Sequence, residues 1–400
     1  MHWVETEVPI ASPSVEMSLI HRAIAARPDN PLLYARLGRT YAKWHQWHEA
    51  AQAYETALAG DPGGFRAWSA LARCYLRSMR PNDALDLCRR DEARMSFGER
   101  EFLRGWALIL LQRDQEGREA LLLAVKEGHF DALRNLLKRM VRDDDGGKLL
   151  DLCDELPPSL RDTALARAHR AIALSRLGRT QEARQIVDLE RYVAQVSFAP
   201  PPEFGSLEQF NRQLADDVLA DRVSSQQLRE DFDIDYSLSF DLSPALRALR
   251  AFIQRAYAAY LAEADERGFR AVMPAPPVEA MLHGASVVLS HDGHNGQHIH
   301  ASGYISSVYY VLVPDAIKRA NDTRGALALG CCDEYTGGYV PCWGTRYIKP
   351  VAGMLVIFPS HIFHDAVPSK ISAQRISIAT DMKPVENRPD TGAIMSSQYP

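Results

Sequence analysis

The chain has 400 residues, 46% of them hydrophobic, with a formal charge of −5 and a pI near 6.2. That length holds two or three domains with real cores, and the mild acidity excludes the basic footprint of a nucleic-acid or anionic-membrane binder. The start, MHWVETEVPIASPSVEM, lacks the basic-then-apolar run of a signal peptide, and no apolar run nears the roughly 20 residues of a membrane span. The six cysteines are too scattered for a disulfide framework, so a cytoplasmic protein is expected.

From Pro31 to Gly64 the spacing is that of a tetratricopeptide repeat, with Tyr34, Leu37, Gly38, Tyr41, Ala50, Tyr54, Ala57 and Pro62 in the usual places. The spacing makes physical sense. Tyr34, Leu37 and Tyr41 share one face of a first helix, Gly38 and Ala50 let two helices approach, and Pro62 ends the second. A second copy begins at Phe65, with Trp68, Leu71, Ala72, Tyr75 and Ala84. Phe102 to Leu137 and Ala164 to Val187 stay helical with partial consensus. Each repeat leaves an apolar face for the next, so a stack of several is predicted.

Phe198-Ala-Pro-Pro-Pro-Glu-Phe204 cannot continue a helix and is taken as the boundary between residues 1–197 and 198–400. Two helical stretches follow, Leu207 to Ala220 and Pro244 to Glu266. The texture then turns to β in Ala285–Ser290, Ser306–Leu312, Ala326–Leu329, Met354–Phe358 and Arg375–Ala379. Short strands without crossover helices predict an antiparallel sandwich or jelly roll. The fold class is therefore multidomain α+β, a helical repeat solenoid followed by a strand-rich domain.

Seven of the thirteen histidines fall between His283 and His364. On a strand, His298 and His300 would share a face about 7 Å apart, and a third imidazole from His364 could complete a transition-metal site. Arg375 and Ser377 alternate onto one interior face, where a buried guanidinium suits a two-point grip on a carboxylate. Metal and carboxylate clamp together read as an oxygenase that uses an organic acid. His361 reads as structural. His291 and His294 lie in a glycine-bearing loop at the pocket lip, and Asp292 and Asp365 are candidates to hydrogen-bond a ligating ring. Cys331, Cys332 and Cys342 make a weaker soft-metal candidate.

These residues, Gly296-Gln-His298-Ile-His300, Ser306-Ser-Val-Tyr-Tyr310, Gly353-Met-Leu-Val-Ile-Phe-Pro-Ser360, His364 and Arg375-Ile-Ser377, resemble the Fe(II)/2-oxoglutarate oxygenases related to prolyl hydroxylases. The resemblance covers about Phe204 to Pro384. It implies a double-stranded β-helix, Fe(II) on His298 and His364, and 2-oxoglutarate as cosubstrate with its far carboxylate on Arg375, assisted by Tyr310 and Ser377. It also implies hydroxylation of a C–H bond. The repeats offer a concave surface for an extended segment, so a protein or peptide substrate is expected; a homodimer stays open.

The departure is His300, where the family pattern has Asp or Glu. The extra positive charge should favour anionic ligands, and His300→Asp is expected to retain activity. Three histidines also resemble the sites of zinc hydrolases and of dioxygenases that do not use 2-oxoglutarate, though these give Arg375 no task. A small-molecule hydroxylase or a non-catalytic repeat adaptor would also fit a chain of this make-up.

Overall fold

The computed structural model describes residues 1–3, 13–61, 63, 65–90, 94–226, 238, 240–241, 243–266, 268, 270, 272–290, 293 and 296–385. Pro62, Gly64, His291, Asp292 and His294 lie outside the described residues. Two compact units emerge, one running from Pro9 to Lys138 and the other built mainly from Arg139–Val223 and Tyr236–Glu386. Among the described residues no helix is long and apolar enough to cross a membrane.

The first unit is helical: α1 (Pro13–Ala26), α2 (Pro31–Lys43), α3 (Trp47–Gly60), α4 (Phe65–Arg77), α5 (Pro81–Arg90), α6 (Phe97–Leu110), α7 (Asp114–Lys126) and most of α8 (Phe130–Met140). Consecutive helices pack on one another, as a repeat stack requires. Asn30 caps α2, accepting from Leu32 N–H at 3.1 Å, with Pro31 opening the first turn. Gly38 is needed because a Cβ there would lie 2.9 Å from the Tyr54 ring. The same close approach recurs in α6 and α7, where a Cβ on Gly117 would lie 2.7 Å from Ile109, so a third helix pair follows the two clear repeats.

The second unit contains α9 (Gly146–Glu155), α10 (Pro158–Arg161), α11 (Ala164–Arg176), α12 (Thr180–Ile186), α13 (Leu207–Gln226) and α14 (Pro244–Ala262). Two short helices, α15 (Asp315–Lys318) and α16 (Asp333–Thr336), lie among its strands. The strands are β1 (His2–Trp3), β2 (Ala194–Ser197), β3 (Glu279–Leu289), β4 (Ile305–Leu312), β5 (Leu327–Leu329), β6 (Arg346–Ile348), β7 (Met354–Pro359), β8 (His364–Ala366) and β9 (Arg375–Pro384). A six-stranded sheet runs β1-β3-β9-β4-β7-β2 and a three-stranded sheet runs β6-β5-β8. Apart from the parallel β1–β3 pair, every pairing is antiparallel.

Every predicted β run is a strand. Alternation on β4 then divides the large sheet into two faces. Ser307 and Tyr309 point to the helices, bonding the Tyr257 hydroxyl of α14 at 3.0 Å and Asn211 of α13 at 2.7 Å. Ser306, Val308 and Tyr310 take the opposite face, across from Asp381, Ala379 and Ser377 of β9.

The compact units do not divide at the proline run. Ala194–Ser197, just before it, pairs with β7 as the sheet edge. Phe198 is buried, its ring 4.6 Å from Phe210 and 4.8 Å from Phe252. Helices α9 to α12 belong to the strand-bearing unit, held by bonds such as Ser175 to the Tyr339 hydroxyl at 2.7 Å. The prolines separate the edge strand β2 from helix α13 within one unit; tertiary contacts, which composition does not record, set the unit boundary at Arg139.

Candidate metal centre and carboxylate pocket

His298 and His300 do not lie on a regular strand. His298 makes an isolated antiparallel bridge with His364, its N–H donating to the His364 carbonyl at 3.1 Å and its carbonyl accepting the His364 N–H at 2.9 Å. The His300 N–H donates to Ser360 O at 3.2 Å, so the whole segment runs beside the Ser360–His364 turn. This pairing brings the rings together. The centroids of His298 and His364 are 4.3 Å apart, His300 and His364 5.0 Å, and His298 and His300 5.2 Å. One nitrogen of each ring lies within 4.8 Å of the others.

The ring protons follow from the partners. His298 Nδ1 lies 2.8 Å from Gly296 O, His364 Nδ1 3.1 Å from Ile362 O, and His300 Nδ1 2.5 Å from Asp381 Oδ2. Carbonyl and carboxylate oxygens only accept, so each Nδ1 carries a proton and Nε2 is the nitrogen left to turn to a metal. The Nε2 atoms of His300 and His364 are 3.2 Å apart. That spacing suits a shared ion, because nitrogens about 2.1 Å from one metal fall about 3 Å apart. Burial, followed by the neighbouring His298 and His300, drives the His364 pKa well below its ordinary value, which keeps that ring neutral.

A second polar feature occupies the same sheet face as Asp381. Arg375, Ser377, Ala379 and Asp381 alternate along β9, and Tyr310 stands opposite Ser377. Arg375 is 3% exposed, and its Nε has no hydrogen-bond partner. One Nη donates to Gly325 O, and among the described residues no carboxylate pairs with the guanidinium. A buried cation left this way is costly unless a ligand completes it. The Tyr310 phenol, 1% exposed, is pushed up to about 12 by burial, with Arg375 pulling the other way, so it stays protonated and able to donate.

The other candidates separate from the site. His361 is buried with Nε2 2.8 Å from Ile186 O of α12, and burial lowers its pKa to about 4, so it is a tie between segments. Asp365 accepts from the Ala366 N–H at 2.6 Å, and the carboxylate that holds a ring of the triad is Asp381. Cys331 and Cys332 are buried thiols pushed up to about 12 by burial, and Cys342 lies on the Thr180 carbonyl of α12. They do not gather into a ligand set. Asp381 went unread because its partner is 81 residues away; the signal was its parity with Arg375 and Ser377.

Residues 286–381 match the family model described as "Putative 2OG-Fe(II) oxygenase", and residues 45–94 match a tetratricopeptide repeat model. Among curated proteins there is no match. A prolyl-4-hydroxylase from Pseudomonas putida is 16% identical, covering 49% of this chain and 91% of its own at a TM-score of 0.33. A prolyl hydroxylase from Trichoplax adhaerens, in complex with a hypoxia inducible factor oxygen degradation domain peptide fragment, is 14% identical, covering 56% and 94% at 0.32. YrrB, a tetratricopeptide protein with an unusual peptide-binding site, is 15% identical, covering 43% and 94% at 0.32.

Proposed function

We propose that this tetratricopeptide chain with a 2OG-Fe(II) oxygenase region hydroxylates a C–H bond of a protein or peptide substrate, using Fe(II) and 2-oxoglutarate. The observation that carries the reading is Arg375, a buried guanidinium that forms no ion pair among the described residues, on the same sheet face as the carboxylate that orients a three-histidine cluster. His298, His300 and His364 hold the metal through the nitrogens that their Nδ1 bonds leave facing inward. Bound Fe(II) and 2-oxoglutarate supply the oxidising chemistry, coupling oxidative decarboxylation of the cosubstrate to hydroxylation. Arg375 would hold the far carboxylate through its guanidinium donors, Tyr310 would donate its phenol proton to it, and Ser377 lies on the same face. Burial of Tyr310, Arg375 and His364 excludes water, which strengthens each of these bonds. The repeats recruit the substrate by holding an extended segment of it.

A zinc enzyme or a three-histidine dioxygenase would use the same rings but leave Arg375 without a partner. Anaerobic loading with Fe(II), followed by measurement of 2-oxoglutarate consumed and succinate formed, decides between them. Arg375→Ala should raise the 2-oxoglutarate KM at least about tenfold with metal content unchanged, and Tyr310→Phe should shift it less in the same direction. Turnover indifferent to 2-oxoglutarate, or loss of metal from Arg375→Ala, would overturn the assignment.

A further inference from the structure

We propose that Asp381 is the positioning residue of the metal centre, supplying through the His300 ring the negative charge that a carboxylate ligand would otherwise bring. The inference rests on reading His298, His300 and His364 as metal ligands. Asp381 is 4% exposed and uses both oxygens: Oδ2 accepts from His300 Nδ1 at 2.5 Å, and Oδ1 accepts from the Ser306 hydroxyl at 2.7 Å. The Ser306 hydroxyl is also 2.9 Å from that of Ser360, whose carbonyl accepts the His300 N–H at 3.2 Å. These bonds close a circuit that fixes His300 by both ring and backbone. Ser306 holds the carboxylate, and the carboxylate holds the ring in the tautomer that aims Nε2 at the other histidines.

Charge supports the same assignment. Among the described residues no arginine or lysine forms a salt bridge with Asp381; its ionic partner is the His300 ring, with the Lys383 ammonium acting on it from farther off. A buried carboxylate in that position is balanced by a divalent cation on the far side of the imidazole. Histidine in place of the usual carboxylate thus moves the negative charge one ring outward without removing it. A consequence is that His300→Asp alone sets a second carboxylate towards Asp381 and removes the ring between them, reversing the tolerance expected from sequence.

The experiment is anaerobic titration of the full chain with Co(II), reading the dissociation constant and the visible spectrum. Asp381→Asn keeps an acceptor for Nδ1 but loses the charge, and should weaken Co(II) binding about 10- to 100-fold. His300→Asp should weaken it at least as much, whereas His300→Asp with Asp381→Asn, which moves the charge onto a ligand, should recover to within about tenfold of wild type. Asp381→Asn binding within about threefold of wild type, or His300→Asp alone matching the double variant, would overturn the proposal. Should the Asn variants not fold, Asp381→Ser keeps a hydroxyl acceptor without the charge; Co(II) affinity within about threefold of wild type there overturns it equally. A wild type that binds no Co(II) sinks the three-histidine reading instead, so the two failures are told apart.

Discussion

Gly38 and the Tyr54 ring that requires it are 16 residues apart, whereas His300 and the Asp381 carboxylate that orients it are 81 apart. The helical unit is built from contacts of the first kind and the strand unit from the second. A repeat array stores its fold locally, each helix packing on its sequence neighbours, so a change there is felt within one pair. The three-histidine cluster draws its rings from two paired segments and its fixing carboxylate from a third strand, so changes at any of them reach the same few atoms. Damage should therefore be graded in one unit and all-or-none in the other.

The sharpest break should come at His298. If His298 is a ligand as proposed, His298→Ala should abolish metal-dependent 2-oxoglutarate turnover while leaving the far-ultraviolet circular dichroism unchanged; a variant that still binds Co(II) at wild-type affinity sinks the triad. The next largest effect concerns the boundary. A fragment of residues 198–385 lacks β2 and the α11–α12 hairpin, which holds the site through His361 to Ile186 O and through His169 to the Tyr335 hydroxyl at 3.1 Å. That fragment should fail to bind Co(II), while residues 139–385 should bind it; equal binding by both would put the boundary back at the prolines.

In the helical unit the effects are smaller. Burial raises the Glu99 pKa, but Arg73, paired with it at 3.0 Å, and His129 at 2.8 Å more than offset this and hold it at about 2, down from 4.5. A carboxylate depressed in the folded state stabilises above its unfolded pKa and loses that contribution as pH falls. Glu99→Gln should therefore cost about 2–3 kcal/mol at neutral pH in urea unfolding, with the gap to wild type closing between about pH 5 and pH 2. A gap that stays constant over that range would count against the ion pair. The smallest change is Gly38→Ala, which presses a methyl on the Tyr54 ring and should cost about 1 kcal/mol, with metal affinity untouched.

The same contrast explains what was legible in the sequence. Tyr34, Leu37, Gly38 and Ala50 announce their helices because helix pairing is written within one repeat. Strand faces were also legible, since alternation alone placed Ser306, Val308 and Tyr310 together and Arg375 with Ser377. A shared strand face is what the sequence offers for His298 and His300, whereas the structure gathers the three rings through an isolated bridge of His298 to His364. Asp381 and the boundary at Arg139 stayed hidden. Both depend on strand register and on packing such as Phe198 against Phe210, which join residues with no common local pattern.

β1 adds a topological consequence. His2 and Trp3 pair in parallel with Glu279 and Ala280 of β3, so the polypeptide enters the strand unit, leaves it, and re-enters at Arg139. In polymer terms the repeats are a closed excursion of the chain, and closing such a loop depends only logarithmically on its length. For a flexible chain, doubling such an excursion costs only about 0.6 kcal/mol. The number of repeats is thus a variable open to evolution or an engineer, since each one packs only on its neighbours.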